Sequence, residues 1–534
     1  MRNAGKVLRI IVVLQDDRKL MERSVTMSFS RVLSASIEGL SAEFVDVEAD
    51  VSNGLPVFNM VGYLSSEVKE AGERVRTAIR NSGFEYPPKR TVINLSPAAL
   101  RKRGASFDLP IAVSILISLG IVDPARVKSC LLAGELSLDG KVRKIPGVLP
   151  IVAEAEKCGV KYCIIPKENE AEGALTGNME IIGVKDLAET VDFLQGKKRI
   201  FPAVSKYVFR EQKAEVDFAD IRGQETVRRA AEIAVAGGHN LLLIGPPGSG
   251  KSMTARAVAG ILPPIEKEES LEITKIYSVM DMLRPEAPMI VQRPFREVHH
   301  TVTRAALIGG GTVPRPGEIS LAHGGVLFLD ELTEYRKEIL EMLRQPLESR
   351  CVEISRAYGK YRFPAGFMLV AAMNPCPCGC YPDMEKCKCT PAQIRAYLGK
   401  ISMPFLDRID LCTEAPRVGY EDLNGYQESE SSAEIRRRVC LARDRQKERY
   451  RGTAIKINAE LDVNDLKKYC RLGKRGQNLM EQAFNAMKLT ARAYHKIIRT
   501  ARTIADLEGE EEIRVSHLRE AIGYRTVDSK YWGR

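Results

Sequence analysis

Three short apolar runs, each closed by glycine or by polar residues, mark the middle of the chain: residues 241–244, 326–329 and 367–373. Runs of this length predict strands buried on both faces, as in a parallel sheet covered by helices. The segment starting at Met27 instead alternates apolar with polar positions. It predicts a separate α/β domain, with strands over 42–51, 90–95 and 160–165 and helices over 66–82 and 109–119. Past residue 425 the apolar spacing falls close to 3.6, which predicts helices. A basic, proline-containing connector, GKKRIFPAVSKY, divides the first region from the second. The expected organisation is an α/β domain over 27–200, an α/β core over 210–420 and a helical region over 425–534. Residues 1–26 look foreign to the pattern that follows, so Met27 is the expected start of the fold.

At 534 residues the chain is too long for a single core. Its 44% hydrophobic and 28% charged residues are ordinary for a globular protein. No apolar run approaches the ~18 residues of a membrane span, and no membrane partner is expected. The N-terminal apolar run is too short for a signal-peptide core, so the cytoplasm is the expected compartment and the 12 cysteines are expected to be reduced. The net charge of +11 is uneven, with 24 Lys/Arg against 16 Asp/Glu between residues 425 and 534. That asymmetry suits a polyanion, nucleic acid before membrane, or simply a solvated helical surface.

Candidate chemistry changes the picture most. The run at 241–244 leads into Gly245, Pro246, Pro247, Gly248, Ser249, Gly250, Lys251 and Ser252, and an amphipathic helix follows. G-x-x-x-x-G-K-S between strand and helix cradles phosphates with backbone N–H groups, reaches the β/γ-phosphates with the lysine and ligates Mg²⁺ with the serine. The run at 326–329 ends in Asp330 and Glu331. Asp330 can share the Mg²⁺ with Ser252, and Glu331 can polarise an attacking water. The third run ends in Asn374, whose amide can orient that water from a neighbouring strand.

Together these residues resemble the AAA+ ATPases: a Walker A loop at 245–252, a Walker B strand at 326–331 and a sensor-1 Asn374. The run DIRGQETVRRAAEIAVAGG resembles the segment that such proteins fold over adenine, with Ile221 and Gln224 in the usual places, which favours ATP. The resemblance also implies that Arg408, within FLDRID, is an arginine finger for a neighbouring subunit's γ-phosphate. By the same resemblance Arg492 is the sensor-2 arginine, brought from the lid onto the nucleotide, with Arg499 as the alternative. Such a finger implies a ring, and a homo-hexamer is expected.

Lys251 and Asp330 stand 79 positions apart, more than a compact P-loop core needs. The insert RPFREVHHTVTRAALIGGGTVPRPGEISLAHGG resembles the magnesium-chelatase-like AAA+ ATPases of the YifB/ComM group. Residues 352–364 alternate around a Tyr-Gly-Lys turn and predict a β-hairpin. Arg356, Tyr358, Lys360 and Arg362 near its tip, with Tyr361, suit single-stranded DNA, because cations track phosphates while aromatics stack on bases. An ordinary solvated hairpin fits the same pattern. The neighbours His299 and His300 are expected in hydrogen bonds, since adjacent histidines rarely converge on one ion.

Five cysteines crowd CPCGCYPDMEKCKC directly after Asn374. Cys376, Cys378, Cys387 and Cys389 could supply four thiolates to a structural Zn²⁺, or remain free thiols in a loop.

The stretch from Gly134 to Glu172 resembles the Lon-protease domain, and so does RKRGASFDLPIAVSIL, where Ser106 falls near the nucleophile's position. Leu149 occupies the position of the lysine base, and leucine cannot accept a proton. The expectation is therefore an inactive Lon-like α/β domain, a central AAA+ P-loop core and a C-terminal helical lid. Resemblance to the group implies an ATP-driven DNA helicase that promotes branch migration during natural transformation or recombination. Two alternatives stay open: a chelatase-type motor subunit, and an ATP-dependent protein remodeller or scaffold.

Overall fold

The computed structural model describes residues 29–205, 215–356, 359–419 and 429–533; the expectation for residues 1–26 and Met27 lies outside them. The described chain forms two compact units. The first takes the chain up to Val208 together with Ser270–Ile290, and the second takes the remainder.

The first unit is built on a seven-stranded mixed sheet of order β3-β4-β2-β1-β5-β6-β7. Its strands are β1 (Phe29–Glu38), β2 (Ser41–Ser52), β3 (Phe58–Val61), β4 (Arg90–Ser96), β5 (Cys130–Leu132), β6 (Tyr162–Pro166) and β7 (Glu180–Val184). Alternation along β2 explains its place: Val45, Val47, Ala49 and Val51 are buried, with more exposed residues between them. Helix α1 (Asp108–Ser118) is apolar on all sides and buried, packed on β1 and β2. The helix expected over 66–82 is two pieces, Ser66–Lys69 and Ala71–Asn81, meeting at Glu70.

Residues 270–290 were expected inside the 210–420 core, yet they belong to this first unit. The reason is a buried polar knot. The Glu172 carboxylate accepts from the Leu149 N–H at 2.9 Å, the Asn169 amide at 2.9 Å and the Ser278 hydroxyl at 2.5 Å. Lys144 reaches across to Asp281 at 2.7 Å and to the Leu283 carbonyl at 3.0 Å. A buried carboxylate is tolerated only when its lone pairs are filled, and Ser278 fills one of them.

The second unit carries a five-stranded parallel sheet of order β9-β10-β13-β8-β14. These are β8 (Leu241–Ile244), β9 (Phe295–Val298), β10 (Val326–Leu329), β13 (Met368–Met373) and β14 (Leu411–Glu414). Between β10 and β13 runs the antiparallel hairpin β11 (Cys351–Arg356) and β12 (Gly359–Pro364). Every residue of β8, β10 and β13 is buried, as continuous apolar runs require. Helices α2 (Glu225–Gly237), α3 (Lys251–Ile261), α4 (Ser432–Arg449), α5 (Ala491–Glu508) and α6 (Val515–Trp532) complete the unit. The tail helices share one hydrophobic cluster with the sheet, from Phe218 through Phe328 to Tyr524, so the region over 429–533 lies in the same compact unit as the core.

His239, just before β8, is fully buried. Its Nε2 lies 2.8 Å from the Thr503 hydroxyl of α5, while its Nδ1 has no partner among the described residues. Burial pushes its pKa down to about 4, against the attraction of Asp410 and with Arg499, Arg443 and Lys496 adding to the depression. Below pH 6.5 the unfolded chain therefore takes up a proton that the folded chain refuses, and stability falls as the pH drops from 6.5 toward 4. By pH 5 this one group is expected to cost the fold on the order of 2 kcal/mol. Urea midpoints at pH 7 and pH 5 check this: His239→Gln should show a shallower pH dependence than the parent, and an equal slope would refute the assignment.

Candidate nucleotide site

At the carboxyl end of β8 the chain turns so tightly that a Cβ at Gly245 would stand 2.2 Å from the Ala415 carbonyl oxygen. Gly250, at φ +83°, sits just ahead of α3, so that Lys251 is the first residue of the helix. This exposes the backbone N–H groups of a helix N-terminus along one loop. The Lys251 ammonium is largely buried and donates to the Gly245 and Pro246 carbonyls, each at 2.8 Å, and to the Asn374 Oδ1 at 3.2 Å. Burial lowers its pKa, with Asp330 opposing.

Beside it the Ser252 hydroxyl donates to Asp330 Oδ2 at 2.5 Å. The other Asp330 oxygen accepts from the Glu331 N–H at 2.8 Å. Glu331 itself adopts a left-handed conformation, φ +50° and ψ +49°, and its carboxylate is largely exposed. Such strain in a non-glycine residue costs of order 1–3 kcal/mol and is found where function needs it. Thus Lys251, Ser252, Asp330, Glu331 and Asn374, from three adjacent parallel strands, meet at one end of the sheet.

Gln224 closes the loop from behind. Its amide donates to the Ser249 carbonyl at 3.1 Å and the Pro416 carbonyl at 2.7 Å. Ile221, three residues before it in the chain, is buried. The Gln224 Oε1 and the Ser249 hydroxyl are buried without partners among the described residues. These unmet groups, a lysine held by two carbonyls of its own loop and by Asn374, and a serine–aspartate oxygen pair suited to adjacent positions around Mg²⁺ fit a magnesium nucleoside triphosphate.

Arg408 and Arg492 are placed otherwise. Arg408 is 8% exposed and holds Glu348 at 2.8 Å, the Arg344 carbonyl at 2.9 Å and the Pro404 carbonyl. Arg492, more than half exposed, holds the same Glu348 oxygen at 3.0 Å. Arg492, expected over the nucleotide, and Arg408, expected at a neighbour's γ-phosphate, are thus gathered on one carboxylate. A guanidinium pairs with the nearest available anion, and Glu348 of the helix Arg344–Ser349 is that anion. No feature of the sequence singled out Glu348.

Hairpin β11–β12 forms over the expected residues, with Arg356 opposite Gly359 and Glu353 opposite Arg362. Arg356, Lys360 and Arg362 are exposed, whereas Tyr358 lies outside the described residues. Tyr361 is buried, because alternation along β12 turns it inward with Phe363; it is not a surface aromatic for bases. Arg356 also reaches the Gly311 carbonyl at 3.4 Å, which sets the Gly309–Pro316 turn beside the hairpin. His299 bonds Thr301 at 2.8 Å, and His300 comes within 3.7 Å of the Glu331 carboxylate.

The sulfurs of Cys376, Cys378, Cys387 and Cys389 all lie within 4.8 Å of one another. The backbone N–H of Cys380 draws the Cys378 thiol down to about 6. In the first unit, Leu149 is fully buried and Ser106 offers its carbonyl to Gly134 at 2.9 Å.

Three regions match family models: residues 47–169 "Subunit ChlI of Mg-chelatase", 217–423 "Magnesium chelatase, subunit ChlI" and 429–525 that subunit's C-terminal part. The competence protein ComM of Haemophilus influenzae is 43% identical over 509 residues, covering 94% of this chain and 98% of that protein. The chain belongs to the YifB/ComM family of magnesium-chelatase-like AAA+ proteins. YifB of Escherichia coli is 42% identical over 504 residues, covering 94% of this chain and 98% of its own. Similarity to Lon protease 2 of Bacillus subtilis is partial, 30% identity over 148 residues, or 26% of this chain and 27% of that one. Membership in the YifB/ComM family implies use of ATP and Mg²⁺, which agrees with the groups converging on Lys251. Among the described residues of this family member, no helix is long and apolar enough to cross a membrane.

Proposed function

We propose that this chain is an ATP-hydrolysing ring motor that acts on DNA and promotes branch migration; the name of its H. influenzae relative, competence protein ComM, supports a role in competence. The observation that carries the reading is the convergence of Lys251, Ser252, Asp330 and Asn374, with Glu331 held free of the magnesium ligands. Lys251 would exchange its loop carbonyls for β/γ-phosphate oxygens. Ser252 and Asp330 would hold Mg²⁺, which supplies charge neutralisation at the phosphates. Glu331 would polarise the attacking water, and Asn374 would orient it.

The shared grip of Arg408 and Arg492 on Glu348 supports one further element. Both arginines would serve the same neighbour's nucleotide, exchanging Glu348 for phosphate when subunits close into a hexamer. The exposed Arg356, Lys360 and Arg362 would line the DNA path. The four clustered thiols would hold one structural Zn²⁺. The Lon-like unit, with Leu149 in the place of a base, would be a scaffold without peptidase activity.

The test is the ATPase rate alone, with single-stranded or forked DNA, and with an unfolded protein, using Lys251→Ala as the blank. Stimulation by DNA of several fold is expected. Stimulation by the unfolded protein alone would favour the remodeller reading, and stimulation by neither, with response to a metal-free porphyrin, the chelatase reading.

A further inference from the structure

The thiol cluster is chemically separate from the phosphate loop yet mechanically continuous with it. Sulfur separations are 3.4 Å for Cys376 to Cys378, 3.6 Å for Cys378 to Cys387 and 3.8 Å for Cys376 to Cys387. Four thiolates around one zinc at about 2.3 Å define a tetrahedron of edge about 3.8 Å. A two-iron cluster would hold the pairs further apart. From Cys380 to Thr390 no residue is buried, so this stretch has no apolar core to hold its shape. Thiol contacts alone are weak, and a small loop without a core needs a staple.

The stapled end runs straight into the catalytic residues. Cys376 is fully buried and lies two positions after Asn374. Asn374 accepts from Lys251, and Met373 before it receives the Gly245 N–H at 3.1 Å. On the next turn Gly379, at φ +77°, presses so closely on the phosphate loop that a Cβ there would stand 2.3 Å from the Pro247 Cδ. From the other side Tyr381, whose N–H points to the Cys376 sulfur at 3.4 Å, packs edge-on against Tyr531, and Tyr531 donates to Glu414 at the end of β14 at 2.6 Å.

We propose that the Zn²⁺ held by Cys376, Cys378, Cys387 and Cys389 braces the nucleotide site, fixing Asn374 against Lys251 so that hydrolysis, rather than ATP binding, depends on the metal. This rests on the zinc reading given above. The Gly245 and Gly250 backbone and β8 set the phosphate cradle, and the thiol loop meets it at Pro247. Asn374 joins that loop through Pro375 and the buried Cys376.

The experiment uses the full chain, with zinc counted per chain, then removed by a chelator and Mg²⁺ restored. One zinc per chain is expected. The zinc-free protein should keep its helical circular dichroism and bind a fluorescent ATP analogue within about threefold of the parent, while kcat falls about 10- to 100-fold and returns with added Zn²⁺. Asn374→Ala should lose a similar factor and lose nothing more on zinc removal, which a merely structural role would not produce. A chain that purifies with no metal ends the zinc reading and the brace with it. A chain that holds one zinc but turns over equally fast without it ends the brace alone. Should zinc removal collapse the fold, Tyr381→Ala decides: it keeps all four thiols, removes the packing of the loop on Tyr531, and is expected to bind zinc and ATP with a lowered kcat. Full turnover in that zinc-loaded variant would overturn the proposal.

Discussion

Glu331→Gln is expected to bind Mg·ATP as the parent does and to hydrolyse it roughly 10²–10⁴-fold more slowly, the span that general-base assistance supplies. The geometry separates the two functions. Asp330 has both oxygens engaged, one by the Ser252 hydroxyl and one by the Glu331 N–H, and so belongs to the metal side of the site. The Glu331 carboxylate is largely exposed and makes no contact with Ser252 or Asp330 through its side chain among the described residues, which supports its proposed role on water. The amide keeps shape and hydrogen bonding but loses the negative charge. Single-turnover hydrolysis beside equilibrium binding of a nucleotide analogue measures the split; equal losses in both would place Glu331 among the binding groups instead.

Arg408→Ala carries the second large effect, a loss of about 10³–10⁵ in turnover, the worth of an arginine finger supplied in trans. The side chain also holds the Arg344 and Pro404 carbonyls, so a drop in rate alone would not distinguish a finger from a strut. Mixing does. Lys251→Ala chains have no working phosphate loop but keep Arg408, and Arg408→Ala chains have the converse defect. If the finger acts across the subunit boundary, mixed rings contain sites with one intact half from each, and activity reappears on mixing. If it acts within its own chain, no mixture recovers. Arg492→Ala should behave in the same way, because both arginines rest on Glu348.

The parts of this account that the sequence carried are those in which chemistry and local conformation coincide. Leu241–Ile244 could only be a buried strand once Gly245 and Lys251 followed it, and the Asp330–Glu331 pair gains its meaning from four apolar residues before it. The hairpin was legible because its alternation spans both strands. Longer-range pairings were not. The helix Lys267–Val279 has an apolar face whatever it packs on, and long-range contacts such as those of Ser278 with Glu172, 106 residues away, and of Asp281 with Lys144 place Ser270–Ile290 in the first unit. Tyr361 read as a surface aromatic because the phase of β12 is fixed by Phe363 and the core rather than by the turn. An arginine on a helix carries no mark of its partner, so the meeting of Arg408 with Arg492 on Glu348 had no sequence signal. The four cysteines were legible as a group that could gather; the close approach of Gly379 to Pro247 was not.

If ATP turnover at Lys251, Asp330 and Glu331 moves DNA strands, a branched junction should be displaced at its expense. The most direct measurement is ATP-driven branch migration of a synthetic three-strand junction by the full chain. Strand exchange is expected to require Mg·ATP and to disappear in Glu331→Gln under conditions where that variant still binds the junction. A wild-type chain that hydrolyses ATP and binds the junction, yet leaves the branch point where it began, would contradict it.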